Sequence, residues 1–208
     1  MRVMLALLLL LTGLSWLGPP ARARDEPGRF DYWVLALSWS PAWCGESPPR
    51  ASAEQCTARM GFVVHGLWPQ HERGYPAACR RPEPIPEAVI GAMLPLMPSR
   101  ALIEHQWRKH GTCAGPGPEA YFATVARARQ RVAVPDFFAD AGWRRVERLF
   151  VAANPGLAPE MVAVVCKGGV ATEIRVCLDR DLDFRACGKD VRDRCGDDAQ
   201  FPPARGHN

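Results

Sequence analysis

Three of the chain's five histidines lie in two short segments that could carry out acid–base chemistry. His65 directly follows the apolar run 62–64. On a helix, which advances about 100° per residue, the second segment places two imidazoles, an amide and an ammonium on one face. These residues are His105, Gln106, Lys109 and His110.

Each segment alone has a simpler interpretation. A single histidine at the end of an apolar strand, such as His65, is more often a structural core residue, and Lys109 alone would fit a solvated helix face. The cluster as a set is costly to bury without a partner, and an anion would satisfy it. We therefore predict acid–base chemistry at an anionic centre.

The spacing does not favour a metal or a cofactor. A zinc metalloprotease helix needs histidines at i and i+4 with a glutamate after the first. Here His105 and His110 are five residues apart, and Gln106 occupies the glutamate position. The sequence also lacks a Gly-x-Ser-x-Gly elbow, a phosphate-binding glycine loop and a dinucleotide fingerprint. We expect neither a metal nor a cofactor.

A strand and a helix must position these residues. The β-branched content of 61–67 predicts a strand, and the dipeptide 68–69 should stop it, because proline donates no ladder hydrogen bond. Ser99 predicts the N-cap of a helix over 100–110, which Gly111 should end.

The rest of the pattern predicts an α+β fold. Residues 30–39 alternate in polarity, which predicts a half-buried strand, and a proline-containing loop should follow it. Further strands are predicted at 161–166 and 170–178, with a final short strand after the charged turn 179–181, and helices at 87–94, 119–132 and 143–153. Strands at both ends with helices between them indicate one domain with a central antiparallel sheet flanked by helices.

The N-terminus predicts export. An apolar run over 3–17 precedes two prolines and Ala21-Arg22-Ala23, so we expect a signal peptide at 1–23 and a mature domain at 24–208. A membrane anchor, the alternative, needs roughly 20 apolar residues. Loss of Arg2 and Arg22 lowers the net charge from +4 to +2, which argues against a strongly basic protein that coats duplexes. We expect a periplasmic or extracellular protein with no membrane attachment after cleavage.

Eight cysteines follow the predicted signal peptide. An even number in an exported chain predicts disulfides. Zinc is the alternative, but the sequence contains no Cys-x-x-Cys pair. Counting leaves 105 possible pairings open.

Three segments resemble the ribonuclease T2 family: 30–39, 65–69 and 105–113. The resemblance extends over nearly the whole mature chain. It implies an α+β fold and an acid-tolerant endoribonuclease that needs no metal, has limited base preference and forms 2′,3′-cyclic phosphate ends before 3′-phosphates. We expect a monomer whose partner is RNA.

The resemblance also implies roles for individual residues. His110 matches the general base, His65 the general acid, Lys109 the cation that stabilises the transition state, and His105 the histidine that holds the phosphate. Trp68 matches a base-stacking residue. Tyr75 could serve similarly, and Gln70 lies where some members carry an aspartate for base recognition. The implied disulfides are Cys44–Cys56, Cys79–Cys113, Cys166–Cys195 and Cys177–Cys187.

Gln106 departs from the family pattern, in which this position usually carries a glutamate. An amide cannot accept a proton or supply the negative charge that tunes nearby imidazoles. We expect reduced turnover or a shifted pH profile. The alternatives are a catalytically weakened RNA-binding or toxin-like protein of the same fold and a secreted binding module without enzymatic activity.

Overall fold

Four antiparallel strands form one sheet in the order β2-β1-β4-β3. The computed structural model describes residues 25–45, 54–136 and 141–203, so the predicted signal peptide lies outside the described residues. The strands are β1 Tyr32–Trp39, β2 Phe62–Gln70, β3 Val162–Lys167 and β4 Val170–Leu178. The predicted α+β class and antiparallel sheet are confirmed.

Six helices accompany the sheet in the described ranges: α1 Ser40–Cys44, α2 Glu54–Thr57, α3 Glu87–Met93, α4 Arg100–Lys109, α5 Pro118–Arg131 and α6 Trp143–Ala153. The last four confirm the predicted helices to within one residue at each end. The short helices α1 and α2 occupy part of the region predicted as a loop. No helix in the described ranges is long and apolar enough to cross a membrane.

β1 is buried on both faces, so the prediction of a half-buried strand was wrong. Leu35 and Leu37 belong to the main core, into which the helices pack, while Tyr32 and Val34 form a second, smaller core with Val191. The C-terminal part of the chain covers the face of Tyr32 and Val34, and the helices cover the opposite face, which begins with Asp31 and which the alternation had suggested was open. β1 is thus a central strand of the sheet, and each of its faces packs against other parts of the chain.

β2 continues through Trp68 and Pro69 to Gln70, contrary to the predicted stop. Proline is tolerated because β2 is an edge strand, where a missing N–H can face away from the ladder. The outer edge is partly covered, since Val64 N donates to Leu96 O and Tyr121 Oη donates to Leu67 O, at 2.9 Å in each case. These contacts attach β2, the strand that carries His65, to the helical layer.

The final strand predicted after residue 181 is absent from the described ranges. Asp179 Oδ1 instead accepts hydrogen bonds from Asp181 N and Asp183 N, both at 2.9 Å. This turn leaves only an isolated bridge between Leu178 and Phe184. The chain beyond it runs over the sheet in irregular conformation.

α4 begins and ends as predicted. The side chain of Ser99 accepts a hydrogen bond from Leu102 N at 3.3 Å, His110 is the C-cap residue, and Gly111 begins a 3-10 turn. Trp107 is 1% exposed, and its indole N–H donates to Glu83 O at 2.8 Å. The buried face of α4 therefore sets the direction in which its polar face points.

The four disulfides join the pairs that the family resemblance implies: Cys44–Cys56, Cys79–Cys113, Cys166–Cys195 and Cys177–Cys187. Cys79–Cys113 holds the chain just beyond α4. The last two pairs hold the segment 187–195 at both of its ends against the sheet.

Replacing Cys79 and Cys113 together by alanine should lower the free energy of unfolding by about 3–4 kcal/mol, because the bond closes a separation of 34 residues. Urea denaturation measures this loss. Replacing Cys44 and Cys56 is the matched control: it opens a separation of only 12 residues, and we expect a loss smaller by about 1 kcal/mol. A larger loss in the control would contradict this account.

Candidate active site

All eight predicted site residues line one cleft of about 290 Å³. They are His65, Trp68, Gln70, Tyr75, His105, Gln106, Lys109 and His110. β2 and the loop after it contribute the first four residues, and α4 and its C-cap contribute the others. The segment 187–195 forms part of the facing wall through Asp190, Val191 and Arg194.

His65 lies at a β-bulge. Ala36 of β1 pairs with Gly66, and Leu37 pairs with Val64, so His65 between them has no partner in β1. A bulge bends the strand and redirects the side chain of the extra residue. The side chain of His65 is 37% exposed, and its Nδ1 lies 2.6 Å from Glu173 Oε2.

His110 occupies a different electrostatic environment. It is 5% exposed, and within the described residues its Nδ1 is buried without a hydrogen-bond partner. Burial, the largest cause, and repulsion from Lys109, His65 and His105 together lower the pKa of His110 to about 3. His110 is therefore a neutral imidazole across the physiological pH range.

The indole of Trp68 connects the two histidines. Its ring lies 5.3 Å from the ring of His65 in an edge-on arrangement and 5.3 Å from the ring of His110, nearly parallel at 27°. Trp68 Nε1 donates to Gln106 Oε1 at 2.8 Å. An indole N–H is only a donor, so the amide oxygen must face Trp68.

Gly66 makes this contact possible. A Cβ at Gly66 would overlap with Gln106 Oε1 and Trp68 Nε1. Gln106 is 1% exposed, so it cannot move into solvent to make room. The glycine after His65 therefore lets the strand lie directly against α4.

Basic side chains of α4 and an exposed aromatic ring on the loop after β2 also line the cleft. Lys109 Nζ lies 5.8 Å from the ring centroid of Tyr75, which is 51% exposed. Burial, followed by repulsion from Lys109, Arg108 and His65, lowers the pKa of His105. Gln70, in contrast, is 6% exposed at the floor of the cleft. The arrangement suits an anion placed beside a planar group.

Sequence reasoning missed the contribution of β4. Glu173 contacts His65, and the guanidinium of Arg175 lies 5.1 Å from the ring centroid of Trp68. Arg175 and Arg194 also line the cleft. Alternating charged and apolar residues in β4 are equally typical of a strand face open to solvent, so the sequence carries no signal for this placement.

The arrangement can move protons around an anion. A neutral, buried imidazole can accept a proton, and an imidazole next to a carboxylate can donate one. Both rings contact the same indole and line the same cleft. Within the described ranges, no three His, Cys, Asp or Glu side chains form a group that could hold a metal ion.

Comparison with known proteins identifies relatives of the chain. The sequence pattern of the Ribonuclease T2 family matches residues 30–187. The chain is 43% identical over 116 residues to a ribonuclease of Aeromonas hydrophila, covering 56% of this chain and 53% of the relative. It is 37% identical over 108 residues to a probable ribonuclease of Haemophilus influenzae, covering 45% and 40%. The chain thus spans about half the length of these curated relatives.

A solved structure supports the fold. Ribonuclease MC1 from the seeds of bitter gourd superposes with a TM-score of 0.65, covering 83% of this chain and 100% of that one, at 21% sequence identity. At this identity, the similarity establishes the α+β architecture alone.

Replacing Gly66 by alanine should lower the free energy of unfolding by about 1–3 kcal/mol, as overpacking does, because the new Cβ would overlap with Gln106 and Trp68. Urea denaturation measures the effect. Gly91→Ala in α3 is the matched control, since its Cβ would meet nothing within 4 Å and alanine favours a helix by about 0.5–1 kcal/mol. Equal midpoints for Gly66→Ala and the unsubstituted protein would refute the tight packing described here.

Proposed function

Because this chain belongs to the ribonuclease T2 family, we propose that it is an endoribonuclease that cleaves single-stranded RNA by metal-independent transesterification with little base preference. The observation that carries the proposal is the contact of His65 and His110 with one indole ring in an open cleft. Lys109 and His105 line the same cleft. RNA supplies its own nucleophile, so the protein needs only a base, an acid and cations.

His110 acts as the general base. It accepts the proton of the ribose 2′-OH, whose oxygen then attacks the adjacent phosphorus. The low pKa of His110, about 3 and caused mainly by burial, keeps the ring neutral and able to accept this proton. The burial also supports the acid tolerance expected from the family resemblance.

His65 acts as the general acid. As the O2′–P bond forms and the P–O5′ bond breaks, the ring donates its proton to the departing O5′ and leaves a 2′,3′-cyclic phosphate. In the slower second step the roles reverse: His65 activates water, and His110 returns the proton to O2′. The product is a 3′-phosphate.

Cations stabilise the charge that develops on the phosphorane. Lys109 lines the cleft with its ammonium group, and His105 is placed to hold a phosphate oxygen. A preorganised cation in a partly dry site stabilises a developing charge more than it would in water.

Tyr75 offers an exposed ring on which an unstacked base could lie, which favours single strands and weak sequence discrimination. Trp68 already packs against His110 and Arg175. We therefore assign it a positioning role in addition to base stacking. Gln70 lines the cleft and is 6% exposed. We propose that it contacts the base of the bound nucleotide.

The cysteines indicate the compartment in which the protein acts. The chain carries four disulfides, and such bonds are typical of oxidising compartments and rare in the cytosol. We therefore propose that residues 1–23 are a cleaved signal peptide and that residues 24–208 act as a monomer in the periplasm or outside the cell. In that compartment the enzyme would act on single-stranded RNA.

The catalytically weakened alternative, based on Gln106, has less support. Gln106 Oε1 accepts the Trp68 hydrogen bond, a role that an amide fills as well as a carboxylate. Digestion of RNA by the mature protein in EDTA separates the two functions. We expect cyclic-phosphate ends; binding without cleavage would favour the alternative.

The acid and base can be told apart by the leaving group. A nitrophenolate leaves without a proton, whereas a 5′-alkoxide needs one. His110→Ala should therefore lower kcat/KM by about 10²–10⁴-fold on both a dinucleotide and a uridine 3′-(4-nitrophenyl phosphate). His65→Ala should do so on the dinucleotide only.

Steady-state kinetics on the two substrates, with His71→Ala as the histidine control outside the cleft, tests this assignment. Equal losses for His65→Ala on both substrates would mean that His65 is not the acid.

Gln106→Glu should raise the activity and move the acid limb of the kcat/KM profile to higher pH. A carboxylate beside His110 favours the charged imidazolium, so it raises the pKa of His110, by about 1–2 units. A base with a pKa nearer the working pH accepts the proton more effectively. Glu104→Gln, a change of the same kind at an exposed position of α4, should leave the profile unchanged. Identical profiles for Gln106→Glu and the unsubstituted protein would rule out this electrostatic role.

A further inference from the structure

Glu173 of β4 is a buried carboxylate in contact with the candidate general acid. It is 6% exposed. Its Oε2 lies 2.6 Å from His65 Nδ1, and its Oε1 accepts a hydrogen bond from Arg175 Nε at 2.7 Å. Ser38 Oγ approaches Oε2 at 3.5 Å. The Glu173 carboxylate thus contacts Nδ1 of His65 and is itself held by Arg175 and Ser38.

The sheet is built so that this contact can form across an intervening strand. β1 lies between β2 and β4. On the face that carries Glu173, β1 presents Ala36 and Ser38, which alternate with the core residue Leu37. The two short side chains leave room above β1, and the bulge at His65 turns the imidazole into that space.

The carboxylate stays ionised despite its burial. Burial by itself raises the pKa of Glu173, but hydrogen bonds and attraction from His65 and Arg175 outweigh it, so the pKa lies below its ordinary value. A buried charge is costly unless it is paired and hydrogen-bonded. Arg175 Nε donates a hydrogen bond to Oε1 of Glu173, and Oε2 is directed at His65.

We propose that Glu173 is the positioning residue of the general acid, an inference that rests on the proposed ribonuclease function. The carboxylate accepts the Nδ1–H of His65 and thereby fixes the ring orientation and the tautomer. Nε2 is then the atom that gives its proton to O5′ as the P–O5′ bond breaks and that takes a proton from water in the second step. Glu173 itself keeps its charge throughout and exchanges no proton with the substrate.

Arg175 completes the arrangement. Its Nε fixes the Glu173 carboxylate, and its guanidinium lies against the Trp68 ring that also contacts His65. The positioning of His65 thus comes from β4, while α4 holds the base. The two catalytic rings are supported by different parts of the chain.

Glu173→Gln tests the proposal, because it removes the charge with almost no change in shape. We expect kcat/KM on a dinucleotide to fall by about 10- to 100-fold, the size of the loss when a group that orients a metal-bound histidine is removed. The change on the nitrophenyl ester should be less than about threefold, because its leaving group needs no proton. Glu104→Gln, exposed on α4, is the matched control and should equal the unsubstituted protein on both substrates.

The outcomes separate the two proposals. Absence of cleavage by the unsubstituted protein overturns the ribonuclease function itself. Normal cleavage with equal losses on both substrates in Glu173→Gln indicates a merely structural carboxylate, and no loss on either overturns the positioning role.

Nitrogen-15 NMR of the unsubstituted protein provides a test that does not depend on the variant's folding. We expect neutral His65 to carry its proton on Nδ1. A proton on Nε2 would overturn the proposal.

Discussion

The candidate site depends on the packing of one indole ring between a strand and a helix. Trp68 donates its N–H to Gln106 Oε1 at 2.8 Å and touches His65, His110 and Arg175 with its ring. Gly66 allows this approach because any Cβ there would overlap with the bonded pair. The edge strand β2 and α4 therefore meet at a fixed distance, and the two imidazoles are fixed with them. The Cys79–Cys113 disulfide just beyond α4 limits relative movement of the two elements.

In the proposed mechanism, two chemically identical side chains acquire opposite tasks from their surroundings. Burial and nearby cations lower the pKa of His110 to about 3, so this ring is neutral and its unprotonated nitrogen can act as a base. His65 is more exposed and lies against the ionised carboxylate of Glu173, so it is suited to carry and release one. The carboxylate that contacts the proposed acid lies on β4, whereas α4 carries an amide in Gln106.

Local patterns in the sequence were sufficient where the determining interactions are local. Helical periodicity placed His105, Lys109 and His110 on one face, and Ser99 marked the beginning of α4, because both depend on residues a few positions apart. The stop predicted at Pro69 failed because the edge position of β2 is a property of the whole sheet. The contact of His65 with Glu173 was not predictable either: it joins residues 108 positions apart and depends on a bulge in the register.

The central claim is that His65 and His110 face one phosphate across a common gap. A crystal structure with a 2′-deoxy dinucleotide, which lacks the nucleophile and is not cleaved, tests it most directly. We predict that the phosphate lies in the cleft within hydrogen-bond distance of both imidazoles, with the Lys109 ammonium beside a non-bridging oxygen. A phosphate bound elsewhere, or one that only a single imidazole can reach, would contradict the account.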